Sequence, residues 1–333
     1  MISDQKQKSV PSGKKKQKSK NHSLYDYHLA IKQSGNDAER YRHLGNYNSI
    51  NVEGWHLPGT KESRPDCKEW KTEGCLDVEK HERNGFGRNI FVKRYQKTCS
   101  RGDCHKCVDK WINRNSDRAS KRISAYAKKT GMPAFHLALS PSKENQNKPE
   151  KELRKEAMNI LNEINIEGGA LVFHPYRHVK NSDDWKYSPH FHFVGFGWMR
   201  LAETISRKYG WTTIYLGKRK FLFGTFAYLF SHCGIKEGRH AITWLGKLSY
   251  GKLSIPKPPT SSKCPCCNEY LVPIYHTGKD PPIKKEEKFE GFVDGTDWYT
   301  VKTKKNLKTV AISFEYDSRS SVNEILKGLA EAR

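Results

Sequence analysis

Apolar positions along the middle of the chain change period several times, and each change predicts an element. From about Tyr25 to Ile90 the pattern is weak. After a cysteine-rich stretch (CSRGDCHKC, Cys99 to Cys107), Trp111, Ile112, Ala119, Ile123 and Tyr126 recur at spacings near three and four, which predicts a helix. Ala134 to Ser140 (AFHLALS) alternates as a strand, and Pro149 to Ile164 sets Leu153, Ala157, Ile160 and Leu161 on one helical face. A second strand covers Gly168 to Arg177 (GGALVFHPYR), a polar loop Asn181 to Ser188, and a third strand His190 to Trp198 (HFHFVGFGW). Trp211 to Leu216 gives a fourth strand. A short helix follows, with Thr225 as N-cap, an apolar run through Phe230, and Gly234 as a left-handed C-cap. Near the end, TVAISFEYD reads as a strand, and Val322, Ile325, Leu326 and Leu329 line one side of a final helix. No internal repeat is present. The order of elements predicts an α+β fold built on an antiparallel sheet.

Composition narrows the class. Lys plus Arg number 60 against 36 Asp plus Glu in 333 residues, a formal charge of +24, with 35% hydrophobic residues and a mean hydropathy of -0.84. Such a surplus attracts polyanions and gains affinity by releasing their counterions, which favours nucleic acid over the rival, an anionic membrane. No run approaches the roughly 18 apolar residues that span a bilayer, and the Lys- and Ser-rich start has no apolar secretory core, so a soluble intracellular protein without a membrane partner is expected. Residues 1–23 carry seven lysines and too little apolar surface to fold, which predicts a basic arm. The remainder divides into 24–130, holding the first cysteine group and a helix, 131–250, holding the alternating strands, and 251–333, which begins rich in Lys, Pro and Ser.

The candidate chemistry rests on histidine, tyrosine and cysteine. His190 and His192 flank Phe191, so on a strand both imidazoles leave the same face and can grip one metal ion. His174 has the parity of Ala170 and Val172, and a hairpin through the polar loop would bring it beside the pair. Asp183 or Asp184 could supply a carboxylate instead. Tyr228 shares a helical face with Ser231 and His232. A phenol beside a metal is a candidate nucleophile toward phosphorus, because the cation makes the phosphate electrophilic, and His232 could carry the proton. Nine cysteines in short spacings favour metal over disulfides in an intracellular chain. Cys99, Cys104 and Cys107 have the spacing of a structural zinc site, with Cys75, or alternatively Cys67, as the fourth thiolate. Cys264 and Cys267, with His276 nine residues on, offer a second zinc site, whereas Cys233 and Cys266 read as spectators. The Gly246 to Lys252 segment mimics a phosphate loop, but Leu253 stands where Ser or Thr should bind Mg²⁺, so no nucleotide cofactor is expected. Trp185, Tyr187 and Trp198 are candidates for stacking on bases.

In order, AFHLALS, SPHFHFVGFGW and TFAYLFSHCGI resemble the HUH superfamily of single-strand DNA nicking enzymes, and with TCSRGDCHKC upstream the chain looks most like the rolling-circle replication initiators of archaeal plasmids and viruses. GALVFHPYR, YLFSHCGI, HAITWLGKLSY and CPCC fit that group, and the resemblance covers about Gly74 to Tyr270. It implies a ferredoxin-like core with zinc-knuckle elaborations. It also implies that His190 and His192 are the metal pair, that His174 stands where many relatives have Glu, and that Tyr228 becomes joined to a 5′-phosphate. Mn²⁺ or Mg²⁺ would be the catalytic ion, single-stranded origin DNA the substrate, and a host polymerase and helicase the partners. Many relatives carry Lys three residues after the tyrosine. Here Ser231 stands there, which leaves His232 as the substitute. A transposase or relaxase would share the chemistry, and a zinc-stabilised nucleic-acid-binding regulator with structural histidines is the reading from another class.

Overall fold

In a computed structural model, which describes residues 52–179, 185–197, 202–256, 262–284 and 286–300, every strand pairing is antiparallel. The basic arm, Asp183, Asp184, Trp198 and the expected C-terminal strand and helix lie outside the described residues. In chain order the elements are β1 (Trp70–Cys75), α1 (Val78–Arg83), β2 (Asn89–Gln96), α2 (Val108–Thr130), β3 (Phe135–Pro141), α3 (Glu150–Glu163), β4 (Ile166–His178) and β5 (Trp185–Gly197). Then come α4 (Ala202–Lys208), β6 (Trp211–Lys218), α5 (Leu222–Ser231), β7 (Ile242–Gly246), β8 (Val272–His276), β9 (Phe289–Asp294) and β10 (Trp298–Thr300). They form two five-stranded sheets, β6-β3-β5-β4-β7 and β10-β8-β1-β2-β9, in a mixed α+β architecture without a barrel. No helix among the described residues is long and apolar enough to cross a membrane.

Alternation along the strands of the first sheet feeds two cores. Leu137, Leu139, Leu171, Phe173, Phe191 and Phe193 turn to one face, where α3 buries Leu153, Ala157, Ile160 and Leu161 against them. Ala170, Val172, Val194 and Phe196 turn to the other, against Ile112, Ala119 and Ile123 of α2 and Phe226, Ala227 and Phe230 of α5. The sheet is thus covered on both sides, which is why its central strands carry few exposed positions. The second sheet takes β1 and β2 from the N-terminal part of the chain and β8, β9 and β10 from the region after Tyr250. Those two regions are therefore one sheet rather than separate modules.

Three local expectations change. The polar loop is shorter than its composition suggests, because β5 already begins at Trp185. α5 begins at Leu222 with Phe221 as its N-cap, so Thr225 lies inside the helix, where its hydroxyl donates to the Phe221 carbonyl at 3.1 Å. Gly234 closes no left-handed cap. Its N–H donates to the Phe173 carbonyl at 2.8 Å, and a Cβ there would lie 2.8 Å from the Trp55 ring and 2.9 Å from Pro175, so glycine is required by close approach.

A pair of glycines shapes the α3 face. Gly169 and Gly195 lie opposite one another across β4 and β5, and the Phe193 ring folds over both. A Cβ on Gly195 would stand 2.5 Å from Phe193 Cζ. Gly195→Ala is expected to push this fully buried ring off its rotamer and cost about 1–3 kcal/mol. In urea the transition midpoint should fall at an unchanged slope, and a wild-type midpoint would refute the account.

Candidate functional site

The pairing of β4 with β5 sets His174 opposite His190 and Val172 opposite His192. All three imidazoles leave the face that α5 covers, as strand alternation requires, and each is buried. One nitrogen from each comes within 4.8 Å of the others. The ring centroids lie 4.5 Å apart for His174 and His192, and 5.2 Å apart for each of the other two pairs.

The hydrogen bonding leaves nitrogens of His190 and His174 open to a metal. His190 Nδ1 donates to the Ser188 carbonyl at 2.8 Å, which leaves Nε2 with its lone pair. His192 Nδ1 is 2.8 Å from Nε2 of His136 on β3, and Arg219 donates to His136 Nδ1 at 3.0 Å. The His190 contact is of the kind that orients an imidazole ligand. Because Arg219 makes His136 Nδ1 an acceptor, neutral His136 donates from Nε2 to His192 Nδ1, and the His192 proton sits on Nε2 until this relay rearranges. His174 is fully buried, yet neither ring nitrogen has a hydrogen-bond partner. A buried polar atom left so costs roughly 1–3 kcal/mol, and a cation between the three rings would remove that cost.

α5 brings the remaining groups. The His232 ring meets His174 edge-on at 4.3 Å and Tyr228 at 4.6 Å between centroids, so it stands between the cluster and the phenol. Ser231 Oγ donates to the Tyr228 carbonyl at 2.7 Å and lies 3.1 Å from His232 Nδ1. His232 is buried and Tyr228 half-buried, so the phenol is the member of the group nearest solvent. Arg177 reaches from β4 across β5 to donate to Ser140 Oγ on β3 at 2.7 Å, which sets an exposed guanidinium beside His190.

Burial dominates the electrostatics. It pulls His190 and His136 down to about 3 and His232 to about 4, with Arg177 adding to the effect at His190 and Arg219 at His136. His174 and His192 are held well below 6.5 by the same desolvation, and by the neighbouring histidines. At neutral pH every ring in the group is uncharged, the charge state that metal binding requires.

The cysteines sort into two clusters, and one expected assignment changes. The fourth partner of Cys99, Cys104 and Cys107 is Cys67, not Cys75. Cys67 Sγ lies 3.8 Å from Cys104 Sγ and 2.7 Å from Cys107 Sγ. Cys75 ends β1 on the second sheet and joins Cys264, Cys267 and His81. His276 is not part of that cluster. Antiparallel pairing of β8 with β1 sets Val272 beside Gly74 and carries His276 toward the Trp70 end, where it meets Trp298 and Asp297. Both sulfur-rich sets have the donors of a structural zinc site. Cys233 is buried in the α2–α5 core, and Cys266 stands outside the clusters. Trp185 is buried against Leu57 and Tyr176, and Tyr187 packs on the same group, so these two aromatic side chains serve the core rather than presenting a free stacking face.

Four residues here escaped the sequence reading. His136 shares the parity of Ala138 in AFHLALS, but its role depends on register with β5. Arg219 and Arg177 are two cations among many. His81 sits in VEKHER, which carries no ligand pattern. Compared with family models, with curated proteins and with solved structures, the chain gives no match.

The buried rings predict a pH dependence. Each titrates lower in the fold than its ordinary 6.5, so the unfolded chain takes up protons first and stability, intact above that value, is lost as pH falls. For His136, His190 and His232 the loss between pH 7.5 and 5.5 should be about 1.4 kcal/mol per ring. Urea midpoints without added divalent ion should drop over this range and drop less in His136→Gln. A flat profile would overturn the assignment of neutral buried rings.

Proposed function

We propose that this chain is a single-strand DNA nicking and strand-transfer enzyme of the HUH type, acting as an initiator of rolling-circle replication. The observation that carries the reading is the triplet of neutral, buried histidines on adjacent strands, with His174 lacking any hydrogen-bond partner and His232 linking it to Tyr228. The chain order also supports it. β3-α3-β4-β5-α4-β6, arranged as β6-β3-β5-β4, follows the β-α-β-β-α-β plan of ferredoxin-like folds, and the Tyr228 helix comes next.

His174, His190 and His192 would hold Mn²⁺ or Mg²⁺, with imidazole donors favouring manganese. When bound, the ion supplies Lewis-acid polarisation of the scissile phosphate. The chain's own groups do the rest. Tyr228 Oη attacks phosphorus, the bond from phosphorus to the 3′-oxygen breaks, and a 5′-phosphotyrosine forms. His232, neutral and packed against the phenol, takes the phenolic proton, which returns to the departing 3′-oxygen. Arg177 adds positive charge where the phosphate would lie. The freed 3′-hydroxyl either primes a host polymerase, working behind a host helicase, or later attacks the phosphotyrosine to rejoin the strand. The net charge of +24 supplies sequence-independent grip on the DNA. A transposase or relaxase would use the same steps on a different substrate topology.

Labelled single-stranded oligonucleotides tiling the replicon or element that encodes the protein, incubated with Mn²⁺ and run on a denaturing gel, test the reading. Wild type should give a protein–DNA band that Tyr228→Phe and His190→Ala both lose. His136→Ala should keep the band but slow its formation about 10–100-fold, with more Mn²⁺ needed. A band that survives in Tyr228→Phe removes the tyrosine from the mechanism. No band across the whole tiling, with DNA binding intact, favours a zinc-stabilised binding protein with structural histidines.

A further inference from the structure

The second sulfur cluster carries an inference independent of the nicking reading. We infer that Cys75, His81, Cys264 and Cys267 bind one zinc ion, and that this ion is the staple that closes the second sheet. Four donors from three separate segments converge: the end of β1, the interior of α1, and the turn before β8. Cys75 Sγ lies 3.5 Å from Cys267 Sγ, and His81 Nε2 lies 3.2 Å from Cys264 Sγ and 3.5 Å from Cys267 Sγ. Ligands at about 2.3 Å for sulfur and about 2.0–2.1 Å for nitrogen, set tetrahedrally, stand about 3.5–3.8 Å from one another. The observed separations are close to those edges.

The surroundings are built to hold these donors. His81 is fully buried, and its Nδ1 donates to the Asn89 carbonyl at 2.7 Å, which fixes the tautomer that leaves the Nε2 lone pair facing the thiols. Asp77 caps α1 by accepting from the Lys80 N–H at 3.1 Å, and so orients the helix that carries His81. The Cys264 turn is a closed knuckle: the Asn268 N–H donates to the Cys264 carbonyl at 3.0 Å and the Cys264 N–H to the Glu269 carbonyl at 2.7 Å. Across the junction Asn84 donates to the Cys266 carbonyl at 2.9 Å, and Lys80 pairs with Glu269 at 2.6 Å. A thiol–disulfide pair would need only Cys264 and Cys267. It would leave unexplained why Cys75 and an imidazole with its other nitrogen already anchored complete the set.

The second sheet needs such a staple. Its strands come from opposite ends of the described chain, and its buried apolar residues form only small groups around Ile90, Val92, Ile274 and Trp298 and around Phe91 and Leu271. Cys75 and Cys267 are 192 residues apart, and a clip that closes so long a loop removes much of the freedom of the unfolded chain.

Zinc released from the full-length protein by a mercurial reagent, which displaces sulfur-bound metal, gives the count. Two zinc ions per chain are expected, one from this cluster and one from the Cys67 cluster. Cys264→Ser with Cys267→Ser should release one, His81→Ala one, and His81→Cys two again. The double-serine variant should also be cleaved first by protease around β8 to β10, while β3 to β7 stay protected. One ion from the wild type, or two from the double-serine variant, would overturn the proposal, and the wild-type count needs no variant to fold.

Discussion

Everything at the candidate site depends on the register between β4 and β5. Side chains alternate with a period of two, so a slip of one residue on β5 would turn His190 and His192 into the α3 core and bring Phe191 and Phe193 out beneath α5. The sequence guards against this on the opposite face. The Phe193 ring fits only where Gly169 and Gly195 lie opposite one another, and Leu171 and Phe173 meet Phe193 and Phe191 directly across the hairpin. An apolar interlock on one face therefore fixes the polar constellation on the other. The bulge between His174 and Tyr176 comes just after the His174–His190 pair, so the irregularity does not disturb the alignment of the three imidazoles.

Parity along a strand is local information, and that is why much of the central site was legible. His190 and His192 had to share a face once the strand was recognised, and His174 had to share it once the hairpin was inferred. The spacing of Tyr228, Ser231 and His232 on one helix was equally local. Partners chosen by long-range pairing were not. His136 belongs to the site only because β3 lies beside β5, and nothing in AFHLALS states that neighbour. The sequence put Cys75 first and Cys67 only as its alternative. β1 carries Cys75 away to pair opposite Phe91, and the choice is made there. Thr225 had the chemistry of an N-cap, but the apolar demand of the α2–α5 core extended the helix past it to Leu222.

The two halves of the molecule solve the problem of cohesion differently. The first sheet is held by apolar layers on both faces, and it can therefore bury five neutral imidazoles without losing its core. The second sheet has less apolar material and concentrates its thiols instead. In a chain with so large a cationic surplus, thiolates gathered around a bound metal would also add negative charge at fixed points, offsetting repulsion among the surrounding lysines.

The close approach at Gly234 governs how the Tyr228 helix can move. Directly after His232, the Gly234 N–H is bound to the Phe173 carbonyl, and Ile235 exchanges both backbone hydrogen bonds with His56 at 2.8 Å. The chain just after α5 is thus clamped by backbone bonds between β4 and the isolated bridge at His56, while Phe221 at the helix start is exposed. A shift of the helix along its axis would have to break these bonds. Tyr228 and His232 sit near this anchored end, so backbone contacts on either side hold them at their distance from His174.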